Sequence, residues 1–234
     1  MVRLGIPSKG RLQQETIAWF AARGVAVARA GQGREYRASI AGIDGVELVL
    51  IAAGEIPGEL AAGRLHLGVT GQDLVREEIA DWANRVEELA PMGFGLADLV
   101  VAVPAFWIDV TEIGDLDAAA AQFRARHGRR LRVATKYRHL VRGFLQGRGV
   151  SNYLIVDSQG ATEATVKNLT AEAIADISTT GTTLRDNHLR VLEDGLILRS
   201  QATLFRSACA TWGGDAAATV ARLRDRLGVA APAA

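Results

Sequence analysis

Short, nearly all-apolar runs alternate along the chain with longer segments whose apolar residues recur every three or four positions, the pattern of an α/β fold. The runs predict strands over Arg3–Pro7, Val46–Ala52, Leu65–Thr70, Asp98–Val103, Leu131–Thr135, Asn152–Val156, Ala175–Ser178 and Leu196–Leu204. The periodic segments predict helices over Leu12–Arg23, Asp73–Asp81, Leu116–His127, Tyr137–Gln146 and Glu163–Leu169. In the first helix Ile17, Phe20, Ala21 and Gly24 fall at i, i+3, i+4 and i+7, one apolar face. A last helix, Ala216–Leu227, is expected to start from Asp215 as N-cap and to stop at Gly228, leaving the Ala230–Ala234 tail without order. Strands this apolar suit sheets covered by helices on both faces. Pro104 closes one run and residues 107–116 connect into a second βα series, so a lobe boundary is expected near residue 100.

Composition narrows the class. The chain has 234 residues, 49% hydrophobic and 23% charged, with a formal net charge of +1. That length suits one domain or two lobes of roughly 100 residues each, and the apolar content is too high for a disordered chain. The charge balance excludes a dedicated nucleic-acid binder. The longest apolar runs, such as 46–53, fall far short of the roughly 20 residues of a membrane span. A single cysteine, Cys209, excludes an internal disulfide framework and a multi-cysteine metal site. His66, His127, His139 and His188 show no metal-ligand spacing. The first residues carry no stretch of signal-peptide character, so the expected compartment is the cytoplasm.

Candidate chemistry lies where strands run into helices. The strand ending near Ile177 enters Ser178-Thr179-Thr180-Gly181-Thr182-Thr183, four threonines, a serine and a glycine leading into a helical Leu184-Arg185-Asp186. Hydroxyls and unpaired N–H groups at a helix start make an anion cradle, and Gly181 lets the backbone approach closely; the same residues also serve as a polar N-cap loop. Asp176 and, upstream, Glu163 place two carboxylates beside this loop, suited to sugar hydroxyls or to the helix starts themselves. Ser8-Lys9-Gly10-Arg11 is a tight basic turn after the first strand, either an exposed surface or a polyphosphate contact. Two further turns carry Thr70, Gly71 and Asp73, and Thr135 with Lys136. Lysines are rare here: Lys9, Lys136 and Lys167 are the three among 27 Lys and Arg residues, and two of them sit in these turns. Gly31-Gln32-Gly33 lacks the third glycine of a dinucleotide fingerprint and reads as a hairpin or loop. The arginines at 124, 126, 129, 130 and 132 read as a solvated face or a contact for an acidic partner.

In chain order these turns resemble the ATP phosphoribosyltransferase family, which begins histidine biosynthesis. The phosphoribosyl signature of that family is similar to Glu163, Ala171, Ile174, Asp176-Ile177 and Thr180-Gly181-Thr182-Thr183-Leu184. Pro7-Ser8-Lys9-Gly10-Arg11-Leu12, Leu67-Gly68-Val69-Thr70-Gly71-Gln72-Asp73-Leu74 and Ala134-Thr135-Lys136-Tyr137 also match, so the resemblance spans residues 3–206. The chain departs from the pattern at Leu169, where glycine is usual, at His66, where aspartate is common, and at 52–55, which lacks an arginine.

The resemblance implies an α/β fold of two lobes similar to type II periplasmic binding proteins, with the active site in the cleft between them. Residues 1–100 and 190–234 would form lobe I and 101–189 lobe II. It implies attack of N1 of ATP on C1 of phosphoribosyl pyrophosphate, with Mg2+ carried by the substrates. Lys9, Arg11, Glu163 and Asp176 would be catalytic. Glu163, Asp176, Ser178, Thr179, Thr180, Gly181, Thr182 and Thr183 would bind phosphoribosyl pyrophosphate. Lys9, Gly10, Arg11, Thr70, Gly71, Asp73, Thr135 and Lys136 would bind ATP. The family's long form adds a C-terminal regulatory domain of about 80 residues. This chain resembles the short form, which implies a homodimer and a hetero-oligomer with a regulatory subunit similar to histidyl-tRNA synthetase. The competing readings are a non-catalytic two-lobe binder of a small anion and another phosphoribosyltransferase. Nucleobase-salvage enzymes carry two consecutive acids before the phosphate loop, and Ala175-Asp176 supplies one.

Overall fold

The computed structural model describes residues 1–29, 37–40, 43–158 and 160–229; the Gly31-Gln32-Gly33 segment and the 230–234 tail lie outside them. The chain forms two compact units, Met1–Gly95 with Gln201–Ala234, and Leu96–Ser200. The first pass through unit 1 runs β1 (Val2–Pro7), α1 (Gly10–Ala21), β2 (Val27–Arg29), β3 (Arg37–Ile40), β4 (Val46–Ile51) and α2 (Ile56–Ala61). It continues through β5 (Leu67–Gly71), α3 (Gln72–Glu78), α4 (Trp82–Arg85) and β6 (Val86–Pro91). Unit 2 follows with β7 (Ala97–Pro104), α5 (Ile113–His127), β8 (Leu131–Thr135), α6 (Arg138–Gly147), β9 (Tyr153–Asp157), α7 (Ala164–Lys167), β10 (Ala173–Ser178), α8 (Thr182–Asp186) and β11 (Leu189–Ser200). The chain returns to unit 1 as β12 (Ala202–Ser207) and α9 (Gly214–Leu227).

Among the described residues, unit 1 is built on a sheet in the order β2-β3-β4-β1-β5-β12-β6. Its centre is parallel: β1 pairs with β4 from Val2↔Val46 to Pro7↔Ile51 and with β5 at Leu4↔Leu67. Val2, Leu4 and Ile6 alternate along β1 and are fully buried with Phe20, Leu48 and Leu67. The connection from β1 leads to β4 on one side, and the chain then crosses to β5 on the other. The carboxyl ends of β1, β4 and β5 therefore meet at a topological switch point, where open α/β sheets bind ligands. Unit 2 has the order β11-β7-β10-β8-β9, with β8, β9 and β10 parallel and β7 antiparallel to β10. Leu99 to Val103 in the middle of this sheet are at most 6% exposed, covered on both faces. Leu154, on the edge strand β9, is 50% exposed. No helix among the described residues is long and apolar enough to cross a membrane.

Several local expectations change. The single run 196–204 is two strands split by Ser200 and Gln201, and the split is the boundary between the units. Residues 96–100 and 190–200, grouped with the first lobe from sequence, belong to unit 2, where β7 and β11 pair antiparallel. The buried stripe of α1 is Gln13, Thr16, Trp19 and Phe20, while Ala21 and Gly24 are exposed. That stripe holds polar side chains because each has a backbone partner: Gln13 Nε2 donates to the Ser8 carbonyl (2.9 Å) and Thr16 Oγ1 to the Leu12 carbonyl (2.7 Å). Gly213, not Asp215, is the N-cap of α9, and Asp215 lies in the first turn. Two arginines of the basic run find their acid inside the chain. Arg132 Nη2 donates to Glu172 Oε1 at 2.7 Å and Arg129 Nη2 at 3.1 Å, whereas Arg124 bonds Asn152.

Candidate functional site

Each unit presents one polar edge where parallel strands end. In unit 1 this edge carries Lys9, Gly10 and Arg11 after β1, and Thr70, Gly71 and Asp73 at the β5–α3 junction. Lys9 is the N-cap of α1 in extended conformation, and Gly10 follows at φ 77°, a left-handed backbone that glycine takes without strain. A Cβ on Gly10 would meet nothing within 4 Å, so the backbone there faces open space. Lys9 is exposed; Arg11 is also exposed and bonds Glu15 at 2.9 Å on its own helix. The other residues of this edge are inward. Thr70 is fully buried and its hydroxyl donates to the Ala53 carbonyl (2.8 Å), tying the β5 end to the turn after β4. Asp73 is 6% exposed. Thr70 thereby fixes the chain where it enters Gly71.

In unit 2 the parallel strands β8, β9 and β10 end at Thr135, Asp157 and Ser178. Thr135 is buried and its hydroxyl accepts the Tyr137 N–H at 2.9 Å, which turns the chain and sets the exposed Lys136 over the Tyr137 ring. Asp157 stands in register with Thr135, so a further carboxylate shares this edge. Glu163 precedes α7 on the segment returning from β9 and is half-buried. Asp176 is half-buried near the end of β10, with one carboxylate oxygen accepting the Ile177 N–H at 2.8 Å.

The loop beyond β10 is internally braced. Ser178 Oγ accepts the Gly181 N–H at 3.0 Å, and Gly181 sits at φ 72° as the N-cap of α8. Thr180 Oγ1 donates to Thr182 Oγ1 (3.0 Å), and Thr179 Oγ1 to the Leu96 carbonyl (3.3 Å). Arg185 Nη2 donates to Thr182 Oγ1 at 3.2 Å, and a Cβ on Gly181 would meet Arg185 Nη1 at 3.0 Å. The guanidinium thus folds back over the hydroxyl loop and adds positive charge to it. Sequence reading left Arg185 aside, although its place three residues after Thr182 in a helix was the available signal. Thr180, Thr182 and Thr183 are exposed, and the first turn of α8 leaves N–H groups without partners in the helix. Exposed hydroxyls, backbone donors and one guanidinium around a left-handed glycine form a cradle for a tetrahedral anion, with Asp176 placed for neighbouring hydroxyls.

The departures from the family pattern have local causes. Leu169 takes φ 58°, a conformation glycine would adopt freely, and its carbonyl is held by Arg132 Nη2 at 2.8 Å. His66 accepts the Arg3 N–H through Nδ1 (3.2 Å), lies 3.3 Å from the Thr211 carbonyl through Nε2, and packs edge-on against Trp212. Burial lowers the pKa of its imidazole, which the Thr211 contact opposes, and the ring joins the Arg3 strand to the Thr211 carbonyl.

The fold is shared with a solved ATP phosphoribosyltransferase HisG:HisZ complex from Thermotoga maritima, at TM-score 0.73 and 19% identity, covering 97% of this chain and 96% of that one. A histidine kinase sensor domain similar to periplasmic binding proteins aligns at TM-score 0.52 and 13% identity, covering 97% and 89% of the two chains. The architecture is accordingly that of the periplasmic binding proteins. In sequence, the chain is 61% identical to an ATP phosphoribosyltransferase of Cereibacter sphaeroides over 100% of its own length and 98% of the relative's. It is 50% identical to one from Bradyrhizobium diazoefficiens over 98% and 71% of the respective lengths. The HisG family model, described as ATP phosphoribosyltransferase, matches residues 52–227. That match takes in both the Thr70–Asp73 turn and the hydroxyl loop, and with it the chain belongs to the ATP phosphoribosyltransferase family.

Proposed function

We infer that the chain transfers the phosphoribosyl group of phosphoribosyl pyrophosphate to N1 of ATP, and that the loop around Gly181 holds the 5-phosphate during transfer. The observation that carries this reading is the braced hydroxyl loop with Arg185 folded onto it, beside Asp176. In the reaction the N1 lone pair forms a bond to C1 of the ribose as the C1–O bond to pyrophosphate breaks, and the electron pair leaves with the pyrophosphate. Such a displacement needs no side-chain nucleophile. It needs two polyanions held in line and charge stabilised on the leaving group. Ser178, Thr179, Thr180, Gly181, Thr182 and Thr183 receive the 5-phosphate, and Glu163 and Asp176 accept hydrogen bonds from the ribose hydroxyls. Lys9, Arg11 and Lys136 face the polyphosphates, with Gly10, Thr70, Gly71, Asp73 and Thr135 shaping the nucleotide side.

Among the described residues no group of three or more His, Cys, Asp or Glu side chains is disposed to hold a metal ion. Magnesium carried in by the pyrophosphate and ribose oxygens would supply charge neutralisation on the leaving group. We also assign the chain a homodimer and a regulatory partner resembling histidyl-tRNA synthetase. The Cereibacter relative has nearly the same length as this chain, and the Thermotoga neighbour is a HisG:HisZ complex.

One assay tests these readings together. The purified chain, mixed with ATP, phosphoribosyl pyrophosphate and magnesium, should release pyrophosphate, and histidine titrated in at subsaturating ATP should inhibit little. No pyrophosphate release removes the transferase reading. Strong cooperative inhibition of the isolated chain removes the separate regulatory subunit, because the second site would then lie in this chain.

A further inference from the structure

A groove of about 410 Å³ lies between α6 and the start of β9, and its lining carries three arginines and no carboxylate. Arg138 and Arg142, four residues apart, stand on one face of α6, and Arg130 comes from the turn before β8. All three are exposed, and none is in an ion pair among the described residues. Other arginines of unit 2 have an acid: Arg129 and Arg132 pair with Glu172, and Arg148 with Asp194. Guanidinium groups gathered without an acid repel one another, and a carboxylate placed among them relieves the repulsion.

The strand beside the groove is open. Among the described residues β9 is the last strand of its sheet and pairs with β8 alone. The Leu131 N–H bonds the Asn152 carbonyl (3.0 Å) and the Ser158 N–H bonds the Thr135 carbonyl (3.2 Å), with Leu131 in register with Tyr153. In a parallel ladder this phase commits residues 152, 154, 156 and 158 to β8. It turns the N–H and C=O of Tyr153 and Ile155 to the free edge. Sheet edges are blunted by prolines or by charges set in the strand, and residues 152–156 carry neither. Burial raises the pKa of the Tyr153 hydroxyl and Arg142 opposes it, which puts that side chain on the groove side. Ile155 follows on the same face; by alternation Leu154, 50% exposed, belongs to the opposite one.

We propose that this edge takes an extended acidic segment of a partner protein as an additional strand of the unit 2 sheet. The added strand bonds the free backbone groups at Tyr153 and Ile155, and its side chains alternate between the two faces. Those on the α6 side meet Arg130, Arg138 and Arg142 and are carboxylates. Those between them lie beside Leu154 and are apolar. The segment is therefore recognised by acidic and apolar residues in a two-residue period, beyond its net charge. A small polyanion would satisfy the arginines and leave the edge backbone and Leu154 unused. The proposal is independent of the transferase reading, since none of these residues is among those assigned to the substrates.

A synthetic peptide of alternating glutamate and valine, titrated into the full chain at physiological salt, tests the proposal. Its binding should slow amide hydrogen exchange at Tyr153 and Ile155 by about tenfold or more. Arg142→Glu, in a variant that keeps its circular dichroism, should weaken binding at least about tenfold and leave pyrophosphate release unchanged. Only alternate N–H groups of an added strand face its neighbour. Of two peptides N-methylated in the two alternate phases, one should therefore bind about tenfold less tightly and the other nearly as well as the parent. Equal affinity of the two methylated peptides overturns the strand addition. No binding of the parent peptide, or binding unmoved by Arg142→Glu, overturns the groove as its site. Tripolyphosphate binding as tightly as the peptide makes the groove a small-polyanion site and overturns the proposal as well.

Discussion

The two ends of the sheet in unit 2 are made from the same strands and have opposite surfaces. Where β8, β9 and β10 end, the chain places hydroxyls, carboxylates and a left-handed glycine, with Ser178, Thr180 and Thr182 bonded within the loop. Where they begin, it places Phe106, Ile108 and Leu169 in water and braces them from behind with arginines. Parallel strands explain the first end: their carboxyl termini open into helix starts, whose free N–H groups favour anions. The opposite end receives the returning turns, which bear no intrinsic ligand preference. An apolar surface there is a property of these side chains rather than of the topology. One sheet thus separates a polar edge from an apolar one.

The largest effect is expected at the polar end. Gly181→Val puts a β-branched residue at φ 72° and drives its Cβ toward Arg185, which must leave Thr182. Losing charge-assisted contacts to a phosphate costs about 1.5–3 kcal/mol, or roughly one to two decades in affinity. Binding of phosphoribosyl pyrophosphate, measured by calorimetry, should fall by about that factor, while ATP binding changes by less than about threefold. Equal losses for both substrates would show that the loop serves general stability and that the two ends do not divide the labour.

The next effect is on stability and belongs to the apolar end. Burial alone would push the Glu172 carboxyl up. Hydrogen bonds from the side chains of Arg132 and Arg129 and from the Arg132 N–H outweigh it and hold the group at about 2. A carboxyl depressed on folding adds stability above its unfolded value near 4.5, and that stability is lost as pH falls from there through about 2. Glu172→Gln should lower stability by about 1–2 kcal/mol at neutral pH, since a charged acceptor for two arginines is removed. The same variant should show a shallower loss between pH 4.5 and 2 than the unaltered chain, as read from urea midpoints. An unchanged acid slope would mean that the arginines do not hold the β8 start to the Leu169 turn.

These contrasts were unevenly visible in the sequence. Strands β1, β4, β7 and β8 are largely apolar, each with a single charged residue, and were found within two residues of their ends, because short apolar runs between turns read as strands. Strand β6, Val-Glu-Glu-Leu-Ala-Pro, was missed because its acids at 87 and 88 pair across the sheet with Arg206 and across the turn with Gln72. The hydroxyl loop was legible from composition, since only a helix start uses so many threonines around a glycine. Arg185 was not, because its value comes from folding back onto Thr182. The face of α1 was misplaced because Gln13 and Thr16 are buried with backbone partners that no hydropathy pattern records. The apolar end escaped for a similar reason: Phe106, Ile108 and Leu169 are ordinary in sequence and unusual only in exposure.

The smallest effect is on folding at the apolar end. Leu169 occupies a left-handed position whose cost for a side-chain-bearing residue is about 1 kcal/mol. Leu169→Gly removes that cost and also removes an 80% exposed side chain that makes little contact within the chain. Thermal unfolding should therefore show a gain of up to about 1 kcal/mol. A loss of stability instead would mean that the rest of the chain holds the leucine side chain. In that case the two ends of the sheet would differ less in their surfaces than the exposure of Leu169 indicates.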